Sequence, residues 1–397
     1  MSTKVIDLEL TRLPAEFAPL PGYDHALFLF RFEGVPVGQA TLPLRDGRFH
    51  PLELHDAVNR LENWSLWEHK SIAAPAPPIA APAPPPVTVA VCTRDRPADL
   101  RRCLDAFLQL PDDGQEYLIV DNAPSTAATR ELVAGYDGRF RYVHEPRPGL
   151  NVARNRALRE AAHDIVAFND DDAVPDPGWL RALLAGFTDP DIVCVTGLTM
   201  PLELETPAQE WFERYSPFNR GFRPQLFHGN PVTALRAGHA GAGANMALRR
   251  ATLDRIGGFD ELLDAGTPTL SGGDTEMFAR ILAAGFHIQY TPAALTWHRH
   301  RRTWPELRRV AYGYGVGTYA MWTRRLLVDH ELGVLRAAWQ HFRWYQLPLL
   351  ARALRRRPGH MPLDILLQEL RGCLVGSRAY FRSRRQARRR DQQGQPA

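Results

Sequence analysis

From residue 87 to residue 169 the chain alternates short apolar runs with amphipathic stretches. Residues 87–91, all apolar or β-branched, stop at Cys92-Thr93-Arg94-Asp95-Arg96-Pro97. Leu100, Leu104, Phe107 and Leu108 then recur at helical spacing. Residues 117–120 form the next apolar run and end at Asp121-Asn122. A helical pattern follows over 126–136, a third strand pattern over 140–143, and a helix over 151–162 introduced by Pro148-Gly149. Residues 165–168 predict a further strand that ends in Asp170, Asp171 and Asp172, where Pro175, Pro177 and Gly178 prevent a regular continuation. Strands and helices in alternation, with short links, predict an α/β fold with a mostly parallel central sheet. Ligands of such sheets bind beyond the carboxyl ends of the strands. Thr93, Arg94, Asp121 and the three aspartates all fall directly after strand ends, which points to one shared site.

The flanks read differently. In residues 1–70, an apolar run at 26–32, Gly34 and Val35-Pro36-Val37-Gly38 predict a hairpin, Asp46-Gly47 a turn, and residues 52–64 a helix. This is a small β-rich (α+β) accessory module without a catalytic constellation. Residues 71–86 contain IAAPAPPIAAPAPPP, a Pro/Ala linker expected to be extended and semi-rigid. The main domain is expected over 87–300 and a helical extension over 301–397. Within 201–239 the chain is aromatic and without clear periodicity, which fits either an acceptor lid or ordinary core packing.

Composition changes this picture little, since 45% hydrophobic and 23% charged residues are ordinary for a globular chain. No apolar run reaches the length of a membrane span and no signal-peptide pattern opens the chain. The four cysteines show neither metal-ligand spacing nor a disulfide framework, which fits a cytoplasmic protein. The net charge of +4 is unevenly placed: Arg378, Arg382, Arg384, Arg385, Arg388, Arg389 and Arg390 crowd the tail. With the aromatics before them they suit an anionic membrane surface; a solvated basic tail is the alternative. No nucleic-acid reader fold accompanies that charge.

Three adjacent carboxylates at a strand end repel one another and need a positive partner. A divalent cation carrying its own anionic ligand satisfies them, because hard cations take oxygen ligands and share carboxylates with substrate phosphates. A solvated acidic turn is the plainer reading. Arg154 and Asn155 follow Gly149 into a helix, where a guanidinium and backbone donors can meet an anion.

The segments VTVAVCTRDRPADLRRCLDAF, YLIVDNAPS, PGLNVARNRAL, DIVAFNDDDAVPDPGWL, GAGANMALRR, IGGFDE, GGDTEMFARILAAGF and TWHRH, in this order over residues 87–300, resemble a family-2 glycosyltransferase of the GT-A (nucleotide-diphospho-sugar transferase) fold. The resemblance implies metal-dependent, inverting transfer of a sugar from a nucleotide-diphospho-sugar to an acceptor hydroxyl of a glycan, lipid-linked or small molecule. It implies Mg²⁺ or Mn²⁺ as cofactor. Thr93, Arg94, Asp121, Arg154, Asn155, Asp170 and Asp171 would then hold the nucleotide sugar, and Asp170, Asp172 and His298 the metal, with His300 the alternative to His298. Asp274 matches the expected catalytic base and Glu276 is the second candidate. The family's Glu-Asp-x-Asp motif departs here at Gly273. A sugar-phosphate nucleotidyltransferase would require a glycine-rich loop after the first strand, and residues 92–97 contain no glycine. A decayed, glycan- or membrane-binding scaffold is the non-enzymatic alternative.

Overall fold

The computed structural model describes residues 2–14, 16–61, 84–355 and 361–392. Most of the expected Pro/Ala linker, and the end of the helix expected over 52–64, lie outside the described residues.

The N-terminal module is a three-stranded sheet of β1 (Thr3–Glu9), β2 (His25–Phe32) and β3 (Val35–Pro43), backed by α1 (Pro51–Asn59). The hairpin β2–β3 is antiparallel, as its Gly34 turn requires, whereas β1 joins β2 in parallel. Phe28, Phe30 and Val37 form its own core. Leu27 and Leu29, on the opposite face of β2, pack on Leu198, Met200 and Leu295 of the main domain. Arg31 anchors the contact through Asp176 at 2.6 Å.

The main domain is built on a nine-stranded sheet. Its strands are β4 (Val87–Thr93), β5 (Glu116–Asn122), β6 (Arg141–Glu145), β7 (Ile165–Asn169), β8 (Ala173–Pro175), β9 (Ile192–Pro201), β10 (Gln225–Phe227), β11 (Asn245–Arg249) and β12 (His287–His298). The order is β10-β12-β9-β11-β7-β4-β5-β6, with β8 on β12. Six of the nine, β4, β5, β6, β7, β9 and β12, point the same way; β8, β10 and β11 run against them.

The apolar runs have a direct cause. On β4, Val87, Val89 and Val91 face one core and Ala90 the other; on β5, Tyr117 and Ile119 oppose Leu118 and Val120. Helices cover both faces, so successive residues are all buried. One face is covered by α2 (Pro97–Phe107), α3 (Ala128–Ala134) and α5 (Trp179–Ala185), the other by α4 (Leu150–Glu160) and α7 (Gly273–Ala283). Between α5 and α7 in the chain lies α6 (Pro207–Tyr215), capped by a Thr206–Gln209 capping box. It orders part of the aromatic stretch expected to be irregular: Trp211, Phe212, Tyr215 and Phe218 pack on Leu307, Ile365 and their neighbours.

The C-terminal region is helical as expected, with α8 (Trp304–Val328), α9 (Gly333–His341), α10 (Leu347–Leu354) and α11 (Leu363–Gln392). Helices α8 and α11 cross almost backbone to backbone. A Cβ on Gly372 would lie 2.2 Å from the Tyr312 carbonyl oxygen and 2.8 Å from the Val316 nitrogen, and one on Gly315 would lie 2.1 Å from the Glu369 oxygen. Only hydrogen fits there, so Gly315 in α8 and Gly372 and Gly376 in α11 are packing requirements of the crossing. Gly372→Leu is therefore expected to destabilise the protein by about 3 kcal/mol or more through forced separation of the helices. A denaturant midpoint unchanged from wild type would contradict this close crossing.

Candidate functional site

The aspartates follow β7 into a turn that the sequence around them fixes. Asn169 donates through Nδ2 to the carbonyls of Asp170 and Ala173, both at 2.9 Å, and accepts from the Thr296 hydroxyl at 3.1 Å. The chain then pairs β8 with the end of β12, in a register that sets Ala173 opposite His298. That register carries an imidazole across a separation of more than a hundred residues to the aspartates. Strand β12 runs through Tyr290 and Thr296 to His298 itself.

Asp170, Asp172 and His298 each offer one ligand atom, and these atoms lie within 4.8 Å of one another. Two carboxylates and an imidazole are a donor set that suits Mg²⁺ or Mn²⁺, so the side chains fit the cation the resemblance implies. His298 Nε2 stands 3.1 Å from Asp172 Oδ1. Behind it, His298 Nδ1 meets His300 Nδ1 at 3.3 Å, and His300 Nε2 meets Glu213 Oε2 at 2.8 Å. Burial lifts Glu213 to about 8 and pushes His300 well below the ordinary imidazole range, helped by the neighbouring His298. The pair thus backs the ring of His298 and holds it in place. His300 faces Glu213 and His298 and not the aspartates.

Two arginines that the sequence reading passed over complete the cluster. Arg96 Nη1 bridges Asp171 Oδ1 and Asp172 Oδ2, both at 3.0 Å, and Arg301 Nη1 lies 3.1 Å from Asp172 Oδ2. Thr93 donates its hydroxyl to Asp171 Oδ2 at 2.7 Å. Burial alone would raise all three carboxylates. For Asp172 it is outweighed by His298, Arg301 and Arg96, which hold this group below the ordinary carboxylate range. Asp171 is pushed up to about 7 by burial and by Asp172, against the pull of Arg96 and Thr93. Asp170 is raised by burial and Asp172 despite Arg154.

A cavity of about 300 Å³ opens on this cluster, lined also by Arg94, Asn122, Leu150 and Gly266. Arg94 is half exposed, 3.7 Å from Asp95. Asn122 pins the loop before α4, accepting from Gly149 N at 2.9 Å and donating to the Arg147 carbonyl at 2.7 Å. Asp121 is buried beneath; Tyr142 donates its hydroxyl to Oδ2 at 2.9 Å, and Oδ1 has no hydrogen-bond partner among the described residues. Burial raises its pKa.

A second cavity, of about 510 Å³, adjoins the first; Leu150 and Asp170 line both. Asp274 faces it. The N-cap of α7 is Gly272, so Asp274 stands in the first turn and does not cap the helix with its side chain. Its Oδ2 accepts from Gly243 N at 2.8 Å and its Oδ1 from Thr275 N at 2.7 Å. Oδ1 also accepts from the Thr275 hydroxyl at 3.3 Å, which leaves Oδ2 with a lone pair for a further donor. Gly243 is required here, because a Cβ would come within 2.8 Å of both Arg154 Nη2 and Asp274 Cβ.

Glu276 goes elsewhere. It is wholly buried, paired with Arg280 at 2.6 Å and Arg324 at 3.0 Å, and lines neither cavity. Asn155 holds the 257–261 loop through Phe259 and Glu261 and likewise lines neither. Arg154 is buried on the wall of the larger cavity, 3.0 Å from Asp264 Oδ2. The departure at Gly273 has a structural counterpart: a Cβ there would lie 2.5 Å from Asp264 Oδ2 and 2.3 Å from Asn151 Nδ2. Asp264 fills the space of the missing side chain and brings a carboxylate to it.

Residues 88–257 match the model of glycosyl transferase family 2. The pre-mycofactocin glycosyltransferase of Mycobacterium tuberculosis is 30% identical over 277 residues, covering 68% of this chain and 54% of that protein, so the chain spans about half the length of that relative. The succinoglycan biosynthesis protein ExoM of Rhizobium meliloti is 28% identical over 265 residues, 64% of this chain and 78% of its own. Among solved structures, the mannosyltransferase PcManGT of Pyrobaculum calidifontis, in complex with GDP-Man and Mn²⁺, superposes with a TM-score of 0.53 at 18% identity, over 82% of this chain and 97% of that one. That likeness shows the fold to be of the GT-A type. Sheet, motif order and relatives agree, and residues 88–257 form a glycosyl transferase family 2 domain.

Proposed function

We propose that the protein is an inverting glycosyltransferase that moves a sugar from a nucleotide-diphospho-sugar to an acceptor hydroxyl. The observation that carries this reading is the pair of adjoining cavities, one holding the Asp170–Asp172–His298 cluster and the other Asp274, with Asp170 on the wall of both. The smaller cavity suits the donor, with Asp121 and Arg94 toward the nucleoside and Thr93, Asp170 and Asp171 beside its ribose and phosphates. Asp170, Asp172 and His298 would hold Mg²⁺ or Mn²⁺, which when bound supplies positive charge for the departing diphosphate. Arg96 and Arg301, already turned toward Asp172, are placed to share that load.

In the transfer itself, the acceptor oxygen attacks the anomeric carbon on the face opposite the diphosphate. The carbon–oxygen bond to the phosphate breaks and its electron pair leaves with the nucleoside diphosphate. Asp274 takes the hydroxyl proton as the new bond forms. The Gly243 and Thr275 backbone donors hold the carboxylate in place at the cavity wall. A nucleotidyltransferase would use a different loop after β4, one with glycine where Arg94, Asp95 and Arg96 stand.

The test is a panel of sugar nucleotides with and without EDTA, reading nucleoside diphosphate release and, by proton NMR, the anomeric configuration of the product. Asp274→Asn is expected to lower turnover about 10²–10⁴-fold with donor affinity kept, and EDTA to abolish turnover. Release of pyrophosphate, turnover unaffected by EDTA, or an Asp274→Asn variant as active as wild type would each overturn the reading.

We also propose that the protein works at a membrane surface. Among the described residues no helix is long and apolar enough to cross a membrane. However, Leu332, Leu335, Trp339 and Phe342 form a helical stripe in which Leu332 is 72% and Trp339 63% exposed. Trp344 beside it is 70% exposed, with Arg343 over its ring at 4.7 Å. Apolar anchors flanked by arginine suit an interface with anionic lipid, and the arginine-rich end of α11 adds attraction. Co-sedimentation with phosphatidylglycerol-containing vesicles is expected for wild type and to fall several-fold for Trp339→Ala/Trp344→Ala. Equal binding of both proteins would refute the stripe as the anchor.

A further inference from the structure

The larger cavity has a cationic wall for which the transfer chemistry has no use. Arg220 reaches it after α6 and is held there by backbone carbonyls: Nε donates to Gly238 O at 3.2 Å, and Nη1 to Pro217 O at 2.6 Å and Asn219 O at 3.4 Å. Carbonyls orient a guanidinium without neutralising it. Arg236 and His239 line the same wall. Among the described residues neither arginine forms an ion pair, whereas the buried Arg154, Arg324 and Arg325 each face a carboxylate. A half-buried cation without a counter-ion is costly, and its pKa shows this: burial lowers Arg220, with only Tyr290, Asp274 and Tyr314 pulling the other way. His239 is lowered as well, by burial and by the two arginines.

Aromatic side chains, Tyr314 and Trp322 among them, line the same cavity, and their flat apolar faces suit a sugar or other ring. A ligand filling the cavity would therefore meet both a carboxylate base and guanidinium groups without a counter-ion.

We propose that the acceptor is anionic: a ring-bearing molecule whose hydroxyl is presented to Asp274 and whose phosphate or carboxylate is bound by Arg220 with Arg236. Guanidinium groups take both anions in bidentate fashion, so the shared chemistry is a planar or tetrahedral oxyanion. The inference rests on the glycosyltransferase reading above and narrows the acceptor of that same site.

Binding to the full chain, with Mn²⁺ and GDP or UDP present, distinguishes the two. Methyl β-D-glucuronide is compared with methyl β-D-glucoside, and glucose 1-phosphate with glucose, by ligand-observed NMR on wild type, Arg220→Gln and Arg236→Gln. The expected result is about tenfold or greater preference for the charged member of at least one pair. That preference should shrink severalfold in either variant, while nucleoside diphosphate affinity is unchanged. The carboxylate and phosphate pairs separate a uronate-type acceptor from a phosphorylated one. Intact nucleotide binding without any charge preference would overturn the anionic acceptor and leave the transferase reading standing. A preference unaltered in both variants would place the anion elsewhere, and weaker nucleoside diphosphate binding in the variants would reassign the arginines to the donor; either result overturns the proposal. Should wild type bind no nucleoside diphosphate at all, the transferase reading fails first. Arg236, exposed at the cavity rim, keeps the test decisive if Arg220→Gln folds poorly.

Discussion

Everything at this site depends on gathering like charges and then neutralising them. Three consecutive carboxylates leave the carboxyl end of β7, in the middle of the sheet, where they are largely removed from water, an arrangement that isolated aspartates would resist by several kcal/mol. Arg96 from the loop after β4, Arg301 from beyond β12 and His298 at the end of β12 converge on Asp172 to offset it. These three side chains come from two distant parts of the chain, so the site exists only when the sheet is formed. Their arrangement also prepares the site for an anion. Under the proposed function, Arg96 and Arg301 would pass from carboxylate to phosphate oxygen when a diphosphate and its cation enter.

The C-terminal helices finish what the sheet begins. Tyr314, Thr318, Met321 and Trp322 of α8 wall the larger cavity, and α8 can lie there because glycines let α11 press against its back. The same region presents its apolar stripe outward. The larger cavity and the exposed apolar stripe are therefore built from one helical unit.

The sheet and its carboxyl-end site were legible in the sequence because strands buried on both faces write continuous apolar runs, and because acids after such runs have few structural uses. The antiparallel insertion of β11 between β7 and β9 was not legible: Met246, Ala247 and Leu248 read as a buried strand in either direction. Asp274 and Glu276 share one helical turn and similar chemistry, yet the helix points one to the cavity and the other to Arg280 and Arg324. Only the position of those arginines decides this, and it is set by packing. Asn155 misled for the same reason, since its partners at Phe259 and Glu261 are a hundred residues away. Arg96 carried a usable signal, a cation directly after a strand end, whereas Arg301 sat in a run of basic residues with nothing to single it out. The loss of the acidic residue at Gly273 looked like a defect, but Asp264 supplies a carboxylate to the same place from a loop that sequence alone does not bring near.

The central claim is that Asp170, Asp172 and His298 form one divalent-cation site at the mouth of the donor cavity. Electron paramagnetic resonance of Mn²⁺ tests it most directly, since bound ion loses the sharp signal of the free hexaaquo form. Titration of wild type in the presence of nucleoside diphosphate is expected to give one bound Mn²⁺ per chain, weakened tenfold or more in His298→Ala and in Asp172→Asn. Stoichiometric binding of equal strength in wild type and both variants would show that these residues do not hold the metal, and the account would fall with them.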